Sequence, residues 1–191
     1  MRFPCLVFAA TACLSACSGG VADVFDARQN AGPCPPALAL YDAARVITFD
    51  GTGELFNDIR YTGEITDVRL QCRYAETDPI RAELEIDFAF GRGPASEAAT
   101  HDYPYFVAIT RRDAKVLERA DFVLTANFRD GTLAAVNERI SDIVIPRVDG
   151  GISGANFEIV VGFDLTEDEL QFNRDGKRFR LDAQVGRDRS E

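Results

Sequence analysis

Histidine and methionine each occur once in the 191 residues, and tryptophan does not occur. With His101 as the sole imidazole, a nucleophile–base pair has one place to form and a multi-histidine zinc site has none. The chain has no Gly-x-Ser-x-Gly elbow, no Ser-x-x-Lys and no His-Glu-x-x-His. Basic residues are the minority: 21 Lys and Arg stand against 31 Asp and Glu, a formal charge of −10. Nucleic-acid binding needs clustered cations to displace phosphate counterions, so that balance excludes it. It also disfavours anionic lipid surfaces, so that membrane attachment has to come from lipid chains. The acidity reads as solubility, with a cation-binding surface as the alternative.

What is present begins with an address. Arg2 is followed by an apolar stretch from Phe3 to Leu14, then by Leu14-Ser15-Ala16-Cys17 and Ser18-Gly19-Gly20. The stretch is too short to span a bilayer and ends in small residues, as a cleaved export signal does. The tetrapeptide resembles the bacterial lipobox, in which the thiol accepts diacylglycerol and the chain is cut just before it. Residues 1–16 are therefore expected to be a lipoprotein signal peptide and Cys17 the lipid-bearing first residue. Loss of Arg2 with the signal takes the formal charge from −10 to −11. By analogy with lipoprotein sorting, Ser18 rather than Asp beside the cysteine favours the outer membrane, facing the periplasm.

Cys5 and Cys13 leave with the signal and Cys17 is consumed by lipid, so Cys34 and Cys72 remain. In an oxidising compartment an isolated pair is expected to form a disulfide. A metal pair or reactive thiol is the alternative, but no Cys-x-x-Cys unit exists, so zinc is not expected and no cofactor is implied. Residues 17–33 read as a tether closing in Gly32-Pro33-Cys34-Pro35-Pro36, where helix is blocked. Its sixteen residues after Cys17 reach roughly 50 Å if fully extended. Residues 34–191 are expected to form one domain, since neither a repeat nor a second core is visible.

Within that domain apolar residues recur with period two between turn signals, the pattern of half-buried strands. Strands are expected at 45–49, 68–74, 80–90, 103–110, 115–128 with a break near Ala120, 133–146, 157–163 and 179–185. Pro104 and Pro146 are placed at strand ends. Some eight strands without intervening helical patterns predict an all-β antiparallel sandwich, immunoglobulin-like, with a β-barrel as the alternative. One short helix near the C-terminus is marked over 167–173, where Thr166 and Glu169 form a capping box and Leu165 and Leu170 a staple. A second turn of helix is expected over 38–44.

Register is predicted for the hairpin around Glu76-Thr77-Asp78-Pro79. If Leu70 faces Ile86, Arg69 meets Asp87 and Arg73 meets Glu83. A slip of two residues sets Arg73 opposite Arg81 and Asp67 opposite Asp87, so the first register is expected.

Few residues suggest chemistry. His101, at a loop-to-strand junction, is expected to be a solvated loop histidine. Glu83, Glu85 and Asp87 project to one side of a strand and are expected to form an ion-paired face rather than an acid–base cluster. The inward aromatic residues Phe88, Phe90, Phe122, Phe128, Phe157 and Phe163 are assigned to the core. Asp50-Gly51-Thr52-Gly53 reads as a turn, and Gly91-Arg92-Gly93-Pro94 lacks the third glycine of a dinucleotide loop. His101, Tyr103 and Tyr105, grouped around Pro104, form the candidate binding cluster. No catalytic residue is assigned.

Cys34-Pro35, Gly63 to Val68, Cys72-Arg73-Tyr74, Arg92-Gly93-Pro94-Ala95, Tyr105-Phe106-Val107-Ala108 and Val161-Gly162-Phe163 before Leu165-Thr166 run through most of the mature chain. In these features the chain resembles small envelope lipoproteins of alphaproteobacteria that have no assigned function. The resemblance implies the address and the fold; it carries over no catalytic residue. The expectation for function is a non-enzymatic, membrane-anchored envelope lipoprotein serving as a binding or accessory module for another envelope protein or a glycan. The alternatives are an envelope glycoside hydrolase working with carboxylates alone, and a divalent-cation module using acidic turns such as Asp149-Gly150-Gly151.

Overall fold

The computed structural model describes residues 32–51, 53–112 and 115–177. The expected signal peptide, Cys17, nearly all of the tether and the strand over 179–185 lie outside these residues.

The described chain runs β1 (Ala37–Ala39), a 3₁₀ turn (Tyr41–Ala43), β2 (Arg45–Phe49), β3 (Ile59–Arg73), β4 (Ile80–Arg92), β5 (Thr100–Arg111), β6 (Val116–Asn127), β7 (Leu133–Ile145), β8 (Phe157–Phe163) and helix α1 (Glu167–Arg174). Two four-stranded sheets form, in the orders β1-β8-β5-β6 and β2-β3-β4-β7. They pack as a sandwich and do not close into a barrel. All pairs are antiparallel except β1 with β8, where Ala37, Leu38 and Ala39 run parallel to Ile159, Val160 and Val161. In immunoglobulin constant domains the last strand pairs with the one before it; here β8 lies between β1 and β5, and β7 belongs to the other sheet.

The period-two pattern fills the space between the sheets. Ile80, Leu84, Ile86, Phe88 and Phe90 of β4 are buried against Tyr103 and Tyr105 of β5 and Ile159, Val161 and Phe163 of β8. The rings interlock: Phe90 stacks on Tyr103 at 4.2 Å between centroids, and Phe88 meets Tyr105 edge-on at 5.2 Å. Truncating one such ring to alanine costs about 3–5 kcal/mol.

The hairpin of β3 and β4 adopts the register slipped by two: Leu70 faces Leu84, Arg73 faces Arg81 and Asp67 faces Asp87. The expected register leaves Ile80 opposite Glu76 in the connection, yet Ile80 is buried and pairs with Ile145 of β7. The connection is built for the slipped register. Glu76 takes a left-handed conformation (φ 40°), Asp78 N–H donates to Ala75 C=O, and the Arg147 guanidinium donates to the carbonyls of Ala75, Glu76, Asp78 and Ile152. The Asp67–Asp87 conflict is removed by Arg69, whose guanidinium donates to both carboxylates and to Glu85. A bulge between Ile65 and Asp67 resets the ladder beyond them.

Three local expectations change for identifiable reasons. Leu38 lies in β1 rather than in a helix, because Ile159 N–H donates to Pro36 C=O and Leu40 N–H to Val161 C=O, drawing the chain into the sheet. Only Tyr41–Ala43 turns helically. β6 runs through Ala120 unbroken, and its irregularity is a bulge at Leu117, opposite the step from Ile109 to Thr110. Pro104 lies within β5 and not at its end; it stands where the β8 ladder runs out, with its C=O still accepting from Asp164 N–H, so its missing N–H costs only the last rung.

Helix α1 is capped as expected. Thr166 Oγ1 accepts from Glu169 N–H, and the Glu169 carboxylate accepts from Thr166 N–H at 2.9 Å. Its Phe172 packs edge-on against Phe49 of β2 at 5.5 Å. Asn173 donates to the carbonyls of Asp42 and Arg45, covering the rim of β2.

Candidate functional site

The two sheets have four outer strands. β1 and β2 lie on one flank and β6 and β7 on the other. The first flank is sealed by α1 and by the disulfide between Cys34 and Cys72, with Cα atoms 5.7 Å apart, which ties the start of β1 to β3 of the opposite sheet. The second flank is open.

The hydrogen-bond phase shows what the open flank offers. Phe128 N–H donates to Ala99 C=O, so the even-numbered residues of β6 from Ala120 onward bond to β5, and Asp121, Val123 and Thr125 turn their N–H and C=O groups outward. Arg92 N–H donates to Thr132 C=O. By the same alternation, Leu133, Ala135, Asn137 and Arg139 of β7 turn theirs away from β4. Val123 is 67% exposed.

Further along the same two strands, at Leu117–Phe122 and Ile140–Pro146, the sandwich gapes. A hollow of about 290 Å³ is lined by Ile109, Leu117, Val144, Ile145, Pro146 and Phe157 among others. It adjoins one of about 250 Å³ lined by Val107, Ala120, Phe122, Ile140 and Ile143, and the two share Ile109, Glu118 and Val144. Phe122, expected in the core, is only half-buried on this wall. Two carboxylates occupy inward positions along the opening: Glu118 opposite Ile109 and Glu138 opposite Ile86. Inward charge on an outer strand opposes indiscriminate strand pairing. On β7, Asp142 sits at a bulge in a left-handed conformation (φ 62°) beside the hollow.

The predicted binding cluster separates. Tyr103 and Tyr105 are 1% and 2% exposed, with rings inside the sandwich and hydroxyl pKa values raised by desolvation. Tyr103 O–H donates to Thr62 C=O. His101 is half-buried in β5 rather than solvated in a loop, because its ring stacks on Tyr61 at 4.0 Å and meets Tyr103 edge-on. Desolvation lowers its pKa. Of the three, His101 alone keeps a surface that a ligand can touch.

The carboxylate ladder is an ion-paired face, in which Asp87 has the partner expected, Arg69, and Glu83 is met by Arg139 in place of Arg73. Asp87 pairs with Arg69 and accepts from Asn137 at 2.6 Å; Glu85 pairs with Arg69 and Arg139; Glu83 pairs with Arg139. The Arg69 guanidinium holds the carboxyl pKa values of Asp87 and Glu85 below their ordinary range. A groove of about 520 Å³ between β2 and α1 contains Glu54, Asp168 and Glu169, but Glu54 is engaged by Lys177 and Glu169 by the helix cap. Asp149 accepts from Gly151 N–H within its own turn. Among the described residues no group of three or more His, Cys, Asp or Glu is placed to hold a metal, and no helix is long and apolar enough to cross a membrane.

Fold and site together define a two-sheet sandwich with one sealed and one open flank. Comparison of the chain with known protein families, curated proteins and solved structures finds no match.

Proposed function

We propose that the protein is a bacterial envelope lipoprotein, cut before Cys17 and anchored through lipid on that residue. Its sandwich acts without catalysis as a binding module for an extended segment of another envelope protein. The address is supported by the opening residues and by the resemblance to alphaproteobacterial envelope lipoproteins. The binding role rests on one observation above all: Asp121–Thr125 and Leu133–Arg139 carry outward N–H and C=O groups on the same two outer strands that, at Leu117–Phe122 and Ile140–Pro146, wall an apolar hollow. An added strand satisfies such groups with main-chain hydrogen bonds, the mode known as β-augmentation, and its continuation along the same edge reaches the hollow. A protein segment fits this flank better than a glycan does, because the walls are aliphatic and the unmet groups are backbone.

The test is photo-crosslinking in intact cells from positions 123 and 137, with the exposed Tyr41 on the sealed flank as control. One protein captured from both open-flank positions and not from Tyr41 is the expected result. Val123→Pro, which removes an outward donor, should suppress capture from position 137. Capture of no partner, or of peptidoglycan instead, overturns the reading. Fatty-acid labelling that survives Cys17→Ser overturns the anchor.

A further inference from the structure

The opening along β6 and β7 carries charge of mostly one sign. Glu118 lines both hollows and so stands where they meet. It occupies an inward position on β6, opposite Ile109 of β5. Asp142 of β7 lines the smaller hollow with it. Both side chains are exposed, and among the described residues no ion pair or hydrogen bond occupies either carboxylate. Glu138 lies further along β7, half-buried opposite Ile86. Among the described residues the one cation lining either hollow is Arg111, and it lines the larger alone. Arg119, next to Glu118 in the chain, points to the other face of the sheet, where Asp121 and Asp164 hold it.

The pleat of a sheet fixes what an added strand sets against these groups, because successive side chains alternate between its faces. A segment paired to the outer edge of β6 turns every second side chain inward, into the row of Glu118, Ala120 and Phe122. The side chain beside Glu118 is the decisive one. Like charges directly opposed across two strands destabilise the pair and opposite charges stabilise it, while an uncharged side chain there leaves the carboxylate without a partner. Two residues to either side, the inward positions fall over aliphatic and aromatic walls: Phe122 and Ile143 in the smaller hollow, Leu117, Val144 and Pro146 in the larger.

We propose that the segment bound at this flank is cationic, with a lysine or arginine between two aliphatic residues at alternate positions. Its cation lies between Glu118 and Asp142, and one aliphatic side chain enters each hollow. The inference rests on the reading of β6 as an edge for strand addition and adds to it the chemistry of the partner. The inward carboxylate that keeps β6 from pairing indiscriminately admits a strand that neutralises it and rejects one that sets a second carboxylate against it.

The test uses the processed, lipidated protein in phosphatidylcholine vesicles and fluorescent, end-capped peptides: Thr-Val-Thr-Lys-Thr-Val-Thr and its counterparts with glutamine or glutamate at the centre. Each reads the same from both ends, so strand direction does not enter the result. The lysine peptide should bind about fivefold more tightly than the glutamine peptide, the gain of one cross-strand ion pair, and more than about tenfold more tightly than the glutamate peptide. Glu118→Gln with Asp142→Asn should bring the affinities together; asparagine tolerates the left-handed backbone at position 142. Glu118→Lys should reverse the order of the lysine and glutamate peptides, with melting temperature as the check on folding. Equal binding of all the peptides by the parent protein, lost in Val123→Pro, overturns the charge preference and leaves strand addition standing. Binding that Val123→Pro does not weaken, or no binding of any peptide at millimolar concentration, overturns both.

Discussion

The flank of β1 and β2 and the flank of β6 and β7 solve the same problem, the rim of a sheet, in opposite ways. The first uses strands of three and five residues, a helix whose Asn173 covers two rim carbonyls, and a covalent tie across the sheets. The second leaves strands of twelve and thirteen residues with outward edge groups, discouraged from pairing by Glu118 and Glu138 and by a bulge in each strand. Short edges and covered edges are ordinary protection; long edges beside an apolar hollow expose surface that a monomer gains nothing by exposing. On the proposed reading, stability belongs to one flank and recognition to the other.

The largest test removes the tie. Cys34→Ser with Cys72→Ser opens a loop spanning 38 residues. The chain-entropy account puts the loss at about 3–4 kcal/mol. Denaturant unfolding should show that loss with the β-rich circular dichroism unchanged, and an unaltered midpoint rejects the sealing role. A sharper comparison is made within β6. Leu124→Pro removes a donor that bonds to Tyr103 and should cost about 2–3 kcal/mol, whereas Val123→Pro removes one that faces outward and should cost less than about 1 kcal/mol. Equal losses in the same unfolding assay contradict the assigned edge. The smallest effect concerns His101. Burial keeps it neutral in the folded protein, with a pKa below 6.5, so its contribution is complete above pH 6.5 and is lost as pH falls from there through the folded value. His101→Phe, which retains a ring over Tyr61, should flatten the melting temperature between pH 6.5 and 5. A slope unchanged from the parent removes this histidine as its source.

Most strands were legible because alternation is a property of each segment by itself: β2 and β8 have the bounds expected, and the capping box of α1 is a local signal. The disulfide was legible because reading the opening as an export signal singled out Cys34 and Cys72 as the pair, and these two are the residues bonded. What alternation does not contain is which strands end a sheet. β6 reads like a central strand, and the one mark of its position is a glutamate where an inward apolar residue belongs, repeated in β7. Glu118 and Glu138 are therefore the signal by which the open flank could have been found in the sequence. The hairpin register was misjudged because cross-strand charge was weighed without the connection, and the Arg147 contacts that shape that connection come from about seventy residues away in the chain. His101 was misplaced because its partner Tyr61 belongs to the opposite sheet.

The tie between Cys34 and Cys72 has a mechanical consequence. Tension arriving along the chain ahead of Cys34 does not have to peel away the three-residue β1. It passes through the sulfurs into β3, a fifteen-residue strand held between β2 and β4. A pull along that strand loads many ladder bonds together in shear, whereas one on β1 would open them singly. In the oxidised protein the load path is the longest of the described strands; in the reduced protein it is the shortest of them.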